Sequence, residues 1–265
     1  MTSAQATEVV DGYRERAPFA RAETAAITRP RLLLGLLRTA RHVAELPCGA
    51  GYFLADYADA HAEVTLIDGN LAMLATAIEH AHTVGLPTER TYPQLRLLQE
   101  LDPLPTVDLV VMPNAALNQL ACQTSLADLL TGIRIALTPG VALLAQVLCS
   151  RPGEGLDASG FYDPARQHGV WFADRYFNPT DVAGAALRRR RQRRNRGPLD
   201  RLRVEFDYQN TRCTSVHTTA VDLQVFSTTD LTDALIESGF GHVRFLPGHG
   251  GLSEILAATD GGARS

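Results

Sequence analysis

The chain has 265 residues, a formal net charge of −4 and a hydrophobic content of 45%, which suffices for one large domain or for a core with an inserted segment. Its mild acidity gives no general attraction to nucleic acid, and no apolar run reaches the roughly 20 residues that span a bilayer. All 25 basic residues are arginine, which excludes a Schiff-base lysine, a lysine general base and a phosphate-loop lysine.

The N-terminal part predicts helices. It shows no signal-peptide pattern, so we expect a cytoplasmic protein. Residues 1–30 read as a helical appendage interrupted by Pro18, and from Pro30 the stretch RLLLGLLRTA predicts an amphipathic helix that covers the first strand. The four cysteines are dispersed without metal-ligand spacing, so we expect reduced thiols and no metal site.

The stretch VAELPCGAGYFL, residues 43–54, predicts a strand, a glycine turn and the start of a helix. Gly49 and Gly51 let the backbone turn tightly with no Cβ in the way. The next apolar strand, VTLID, ends at Asp68, about 20 residues after the turn, and a carboxylate at that place can accept both hydroxyls of a ribose. Together the turn and the acid predict a nucleoside-containing cofactor.

The same turn discriminates between cofactors. A dinucleotide fingerprint needs a third glycine, but Leu54 occupies that position. Glu45 would repel a pyrophosphate and suits a cationic ligand. The run E-L-P-C-G-A-G followed by I-D-G-N-L-A-M-L resembles motif I and the following acidic residue of the class I S-adenosylmethionine-dependent methyltransferases.

The resemblance implies roles for individual residues. Gly49 and Gly51 would line the methionine and ribose portions of S-adenosylmethionine, Asp68 would hold the ribose, and Met73 would lie near the adenine. Glu45 would act through the backbone turn and ordered water. Further cofactor contacts are expected at Pro47, Gly69, Gln99, Glu100, Asn114 and Tyr13. For Gln99 and Glu100 the alternative is a solvated loop, and for Tyr13 it is an ordinary packing tyrosine of the lid.

The segment VDLVVMPNAALNQL resembles motif IV, the strand whose carboxyl end lies beneath the transferring methyl group. Asn114 would therefore lie close to the sulfonium, with Asn118 and Gln119 near the mouth of the substrate pocket. The aromatic clamp of enzymes that methylate nucleobases or glutamine side chains is missing, which argues against those substrates. Gln119 stands where many small-molecule members carry a histidine.

The second half of the chain departs from the motifs. A long helix is predicted over residues 117–137, followed by the buried strand VALLAQVL and, from Cys149, a long irregular loop. Eight arginines then lie between Arg188 and Arg201. They are interpreted as a solvated helix or loop face, because no aromatic residues interleave with them as a nucleic-acid site requires; a clamp on an acidic substrate or partner is a third interpretation.

Two alternating stretches, RLRVEFDYQNTR and SVHTTAVDLQVFS, predict antiparallel strands that roof an acceptor pocket. A helix follows, with Ser227 or Thr229 as N-cap and Gly239 at its end, and then a closing hairpin. The general base, if the acceptor is a hydroxyl, is expected from this region. His217 is the first candidate, His168 the second, and His249 a weaker one.

These observations predict a Rossmann-like, doubly wound α/β fold with seven mostly parallel strands, an antiparallel last strand and an inserted antiparallel β cap over the active site. Residues 31–150 and 221–259 would form the core, residues 151–220 the substrate-binding cap and residues 1–30 an N-terminal helical lid. We expect methyl transfer from S-adenosylmethionine to oxygen or nitrogen of a small molecule in secondary metabolism, by a protein that binds neither membrane nor nucleic acid and can form a homodimer.

Two other functions stay open from the sequence. One is an RNA or protein methyltransferase that docks its polymer through the Arg188–Arg201 run. The other is a non-catalytic subunit that binds S-adenosylmethionine without transferring its methyl group.

Overall fold

The structure is a computed structural model. It describes residues 16–17, 19–21, 23–24, 27–150, 169–173, 180–182, 185–195, 201–248 and 252–259. The helices are α1 (Leu33–Leu36), α2 (Leu54–Asp59), α3 (Leu71–Thr83), α4 (Ala116–Leu120), α5 (Leu126–Ala136) and α6 (Thr228–Glu237). The strands are β1 (His42–Glu45), β2 (Glu63–Asp68), β3 (Thr91–Leu95), β4 (Leu109–Met112), β5 (Ala142–Val147), β6 (Cys149–Ser150), β7 (Phe172–Ala173), β8 (Thr180–Val182), β9 (Ala185–Asn195), β10 (Arg201–Gln209), β11 (Ser215–Gln224), β12 (Phe226–Ser227), β13 (Phe240–Pro247) and β14 (Ser253–Thr259).

The main sheet has seven strands in the order β3-β2-β1-β4-β5-β14-β13. Strands β1 to β5 pair in parallel, whereas β14 runs antiparallel to both of its neighbours. The chain order reverses between β1 and β4. In open parallel sheets this switch point opens a crevice at the carboxyl ends of the strands. The predicted Rossmann-like sheet with an antiparallel last strand is confirmed.

Both faces of the central strands are covered, which explains why their sequences are continuously apolar. Every residue of β1 and β4 is buried. One face packs against Leu33, Leu54 and Leu74 of α1 to α3. The opposite face packs against α5 and α6, for example at Ile133 and Leu231.

Two predicted helices differ from the observed ones. Only Leu33–Leu36 is helical in the stretch predicted to cover β1, and turns follow it. The helix predicted over residues 117–137 is two helices, because Ser125 begins α5 as an N-cap whose side chain accepts a hydrogen bond from the Asp128 N–H. By contrast, Ser227 caps α6 as predicted, and Gly239 follows its end with a φ of +88°.

A second sheet has five strands, in the order β11-β10-β9-β7 with β8 also paired to β9. The two alternating stretches pair antiparallel as predicted. The six arginines from Arg188 to Arg194, however, lie on strand β9 and not on a helix or loop, because this stretch pairs with β10 from Arg188 opposite Gln209 to Asn195 opposite Leu202. Strand pairing over eight positions prevails here over the polar composition.

The apolar face of the second sheet packs on the carboxyl end of the main sheet. Val204, Phe206 and Tyr208 of β10 form one buried cluster with Ala115, which follows β4, and Leu148, which follows β5. This cluster joins the second sheet to the residues that follow β4 and β5. Within the described part of the chain, we find no helix with the length and apolarity that a bilayer crossing requires.

Candidate active site

The glycine turn after β1 is joined directly to the acid that ends β2. The Oδ2 of Asp68 accepts a hydrogen bond of 2.9 Å from the Gly49 N–H, and its Oδ1 accepts one of 2.8 Å from the Asn70 N–H. Burial raises the pKa of Asp68 to about 6, although the backbone N–H donors oppose this. The Gly69 N–H is a third backbone donor to this carboxylate, which keeps acceptor capacity for a ligand hydroxyl.

Glu45, the last residue of β1, holds the other side of the turn. Its side chain is fully buried. Its Oε1 accepts from the Tyr52 N–H at 2.7 Å, and its Oε2 accepts from the Phe53 N–H at 3.3 Å and from the Tyr57 hydroxyl at 2.8 Å. Burial raises the pKa of Glu45 to about 7. The carboxylate thus organises the loop that carries the turn.

His80 on α3 fixes the turn from a third side. Its Nδ1 lies 3.0 Å from both the Ala50 and the Gly51 carbonyl oxygens, so the ring nitrogen must donate to them. Gly51 has a φ of +81°, and a Cβ there would lie 2.2 Å from the Leu54 side chain. Sequence reasoning missed His80, because only the packing of α3 against the turn brings the ring to these carbonyls.

The residues around the turn lie as follows. Pro47 is half-buried directly after β1, and Gly69 packs so closely on Leu97 that a Cβ would come within 2.8 Å of that side chain. Met73 is buried in a cluster with Ala50 and with Ala17 and Ala20 of the N-terminal helical residues. Gln99 and Glu100 lie on a short 3-10 turn after β3, where Glu100 is exposed; their contact with adenine stays a prediction.

The carboxyl end of β4 has an unusual backbone. Asn114 and Ala115 have φ values of +49° and +55°, a left-handed conformation that each non-glycine residue adopts at a cost of about 1–3 kcal/mol. Gln146 of β5 holds this bend, because its Oε1 accepts from the Asn114 N–H at 3.0 Å while its Nε2 donates to the Thr28 carbonyl at 2.9 Å. Burial raises the pKa of Tyr52 to about 12, and the Asn114 side chain near its hydroxyl opposes this rise. Asn114 is thereby fixed between the turn after β1 and the end of β4.

The side chain of Asn118 connects neighbouring parts of the backbone. It is fully buried on α4, its Nδ2 donates to the Leu148 and Gln224 carbonyls at 2.7 Å each, and its Oδ1 accepts from the Leu148 N–H at 2.8 Å. Its amide therefore ties α4 to the ends of β5 and β11. Gln119 is half-buried.

His217 of β11 lies in an aromatic cluster. Its ring stacks on Phe19 with centroids 5.0 Å apart and an interplanar angle of 6°, and Tyr208 lies 4.5 Å from the same Phe19 ring. The Nε2 of His217 is buried and has no hydrogen-bond partner among the described residues. The other candidates Tyr13, His168 and His249 lie outside the described residues.

Comparison with solved structures identifies the architecture. The CcbJ methyltransferase of Streptomyces caelestis superposes with a TM-score of 0.67 at 16% identity, over 91% of this chain and 90% of that one. The sugar N-methyltransferase KedS8 of a Streptoalloteichus species gives 0.64 at 18% identity, over 96% and 92%. CalS10 of Micromonospora echinaspora, an amino pentose methyltransferase solved with S-adenosylmethionine bound, gives 0.62 at 17% identity, over 86% and 88%.

The fold is that of the class I S-adenosylmethionine-dependent methyltransferases. The resemblance seen in motif I is therefore confirmed at the level of fold. No protein-family model and no curated protein sequence matches the chain.

The residues present fit the cofactor of this methyltransferase fold. A nucleoside needs an acceptor for its ribose hydroxyls, and Asp68 offers one beside a turn whose glycine at position 51 leaves no room for a side chain. Met73, which is buried beside Ala50 of the turn, is apolar, as a residue that packs against an adenine must be. The buried carboxylate of Glu45 keeps the turn in shape from beneath.

Proposed function

We propose that this protein is an S-adenosylmethionine-dependent methyltransferase that acts on oxygen or nitrogen of a small molecule. One observation carries the proposal: Asp68 at the tip of β2 is bonded to Gly49 at the switch point of a seven-stranded sheet with an antiparallel last strand. A sheet of this kind can also bind a dinucleotide, but Leu54 stands in place of the third glycine of the dinucleotide fingerprint and argues against that function.

When bound, the cofactor would supply an electrophilic methyl group, and S-adenosylhomocysteine would leave as the acceptor bonds to the methyl carbon. The chain contributes alignment and exclusion of water. Asp68 accepts the ribose hydroxyls, and the turn at Gly49 and Gly51 carries the amino-acid portion. Asn114, whose backbone N–H is held by Gln146, would present its side chain near the reacting atoms.

The acceptor decides whether a base is needed. A hydroxyl requires a group that removes its proton, and His217 is our candidate, because its buried Nε2 has no partner among the described residues. An amine needs only to reach the methyl group in its neutral form. One structural neighbour, KedS8, is named as a sugar N-methyltransferase, and another, CalS10, as an amino pentose methyltransferase involved in calicheamicin biosynthesis. We propose a small molecule of this kind, in secondary metabolism, as the acceptor.

The proposal has a direct test. Titration of the purified protein with S-adenosylhomocysteine in a calorimeter should give saturable binding at one site per chain. Labelled S-adenosylmethionine incubated with amino and hydroxyl metabolites should then give labelled product. Absence of heat with S-adenosylhomocysteine would refute the proposal.

The same experiments distinguish the proposed function from the two alternatives that the sequence left open. A subunit that only binds the cofactor gives the heat but no transfer to any acceptor. A polymer methyltransferase docking through the Arg188–Arg201 run requires nucleic-acid affinity that falls steeply with salt.

A further inference from the structure

The second sheet has an apolar face that packs on the main sheet. Directly opposite residues of an antiparallel pair lie on the same face of a sheet, and neighbours along one strand alternate between the two faces. Val204, Phe206 and Tyr208 of β10 are buried. They share a cluster with Ala115, which follows β4, and with Leu148, which follows β5. We call the face that carries these residues the inner face of the second sheet.

The strand register divides the arginines of β9 between the two faces. Three of them lie opposite buried residues of the inner face: Arg189 opposite Tyr208, Arg191 opposite Phe206 and Arg193 opposite Val204. The other three lie on the other face: Arg188 opposite Gln209, Arg190 opposite Asp207 and Arg194 opposite Arg203. The composition of the run does not distinguish the two sets, whereas its pairing with β10 does.

The two faces differ in the carboxylates that β10 and β11 supply. On the other face β10 contributes Glu205 and Asp207, and β11 contributes Asp222, which accepts from Arg203 at 2.9 Å. On the inner face these two strands contribute apolar or uncharged residues and one histidine: Leu202, Val204, Phe206 and Tyr208 on β10, and His217, Thr219, Val221 and Leu223 on β11. Neither strand offers the inner-face arginines a carboxylate.

The N-terminal residues bring one carboxylate to the inner face. Glu23 accepts there from the Tyr208 hydroxyl, and it also accepts from the Arg16 Nε at 2.8 Å. Glu23 and Arg16 carry opposite charges, so together they add no net charge to this face. The three arginine positions of β9 therefore make the inner face positive, as a site for an anion requires.

The inner-face arginines share rows of the sheet with the candidate base. His217 lies opposite Tyr208, and Tyr208 lies opposite Arg189, so the three residues form one row across β11, β10 and β9. Neighbouring strands are about 4.8 Å apart, which separates the backbones at His217 and Arg189 by about 10 Å. Arg191 lies in the next row of the inner face, opposite Phe172 of β7. A small molecule is long enough to reach from the base to these positions.

We propose that the acceptor carries a carboxylate or phosphate group and that Arg189, Arg191 and Arg193 bind this group. The inference rests on the proposed function, because it identifies the substrate class of the same site. Arginine presents its donors in a planar fork that matches carboxylate and phosphate oxygens, and it stacks on aromatic rings. The anion anchors the acceptor away from the reacting atom, so the group that receives the methyl can be a neutral amine or a hydroxyl.

The test compares benzoate and phenyl phosphate with benzamide, which is neutral and nearly isosteric with benzoate. Each compound is titrated by calorimetry into the full chain saturated with S-adenosylhomocysteine. We expect at least one anion to bind about tenfold or more tightly than benzamide, on the scale of a charge-assisted hydrogen bond. The anion that binds more tightly identifies the group as a carboxylate or a phosphate.

Two double variants separate the faces of β9. Arg189→Gln combined with Arg191→Gln removes two charges from the inner face and should abolish the preference for the anion. Arg188→Gln combined with Arg190→Gln makes the same charge change one position away on the same strand, but on the other face, and should retain the preference. Melting curves show whether each variant folds. Arg191→Gln alone is a milder change and should weaken anion binding without altering that of benzamide.

Three results would overturn the proposal. The first is equal affinity of the native chain for benzamide and both anions, and the second is an anion preference that survives the inner-face substitutions. The third is an equal loss of preference in both double variants, which a diffuse positive surface would give. Binding of S-adenosylhomocysteine without an anion preference rejects only the acceptor class, whereas failure to bind S-adenosylhomocysteine rejects the methyltransferase function itself.

Discussion

Substitution of Asp68 by asparagine tests the centre of the cofactor site. The isosteric amide keeps the volume but removes the charge and one of two acceptor oxygens. Hydrogen bonds to a charged group contribute about 1.5–3 kcal/mol, so we expect the Kd for S-adenosylhomocysteine to rise about tenfold to about 150-fold. Asp59→Asn, an exposed carboxylate at the end of α2, makes the same charge change without touching the site and serves as the control.

The substitution also has a structural cost that must be measured apart. Asp68 accepts from the Gly49 and Asn70 N–H groups, and an amide NH₂ facing one of these donors leaves it unsatisfied. We expect a loss of about 1–3 kcal/mol in the free energy of unfolding. Urea titrations of the variant and the control measure this loss in the free energy of unfolding, and affinities are compared only where both proteins are folded.

The pH dependence of affinity gives a second readout of the same carboxylate. Burial raises the pKa of Asp68 to about 6 in the free protein. Ribose hydroxyls donate to the charged form, so S-adenosylhomocysteine affinity should fall as the pH drops below 6 and approach a slope of about tenfold per pH unit. Asp68→Asn should remove this slope. An unchanged affinity and an unchanged pH profile in the variant would mean that the ribose binds elsewhere.

Three further predictions concern the groups that support the site. His80→Leu should raise the Kd for S-adenosylhomocysteine about threefold to about tenfold, whereas His80→Asn, whose amide nitrogen can replace Nδ1, should retain the affinity; equal losses in calorimetry would contradict a donor role. Asn118→Leu should lower the free energy of unfolding in urea by about 2–4 kcal/mol, because three buried backbone groups lose their partner. Asn118→Asp keeps the acceptor oxygen but loses the donor, so this variant should also be less stable than the native chain. Burial raises the pKa of Glu45 in the folded protein to about 7, against an ordinary value of 4.5. The stability that the protonated side chain contributes is therefore complete below pH 4.5, and about 3 kcal/mol of it is lost as the pH rises through 7. Glu45→Gln should flatten this part of the curve of unfolding free energy against pH, and an unchanged curve would show that another group titrates.

The sequence predicts the parts of the fold that local chemistry decides. Apolar runs ending at Glu45 and Asp68 mark parallel strands, and the glycines between them mark the turn, because each rule depends on neighbours along the chain. The antiparallel pairing of β10 and β11 follows from their alternation for the same reason.

Features that depend on distant partners could not be predicted. The run of arginines forms β9 because β10 offers it a ladder of hydrogen bonds, and nothing within the run indicates a strand. His80 bonds to the turn 29 and 30 residues away, so its role depends on how α3 packs. The partnership of Glu23 with Tyr208 spans 185 residues, and neither residue carries a motif that could reveal it.

Two buried polar side chains of the main sheet anchor the chain at Thr28 and Arg31. Gln146 of β5 donates to the Thr28 carbonyl, and Glu254 of β14 accepts from the Arg31 N–H at 2.8 Å. Because these anchors come from the rigid sheet, the chain at Thr28 and Arg31 is fixed at the edge of the crevice. The helical residues before Thr28 are held instead by small apolar contacts to Ala50 and Met73 and by the pair at Glu23. The same Gln146 that donates to the Thr28 carbonyl also accepts from the Asn114 N–H at the end of β4.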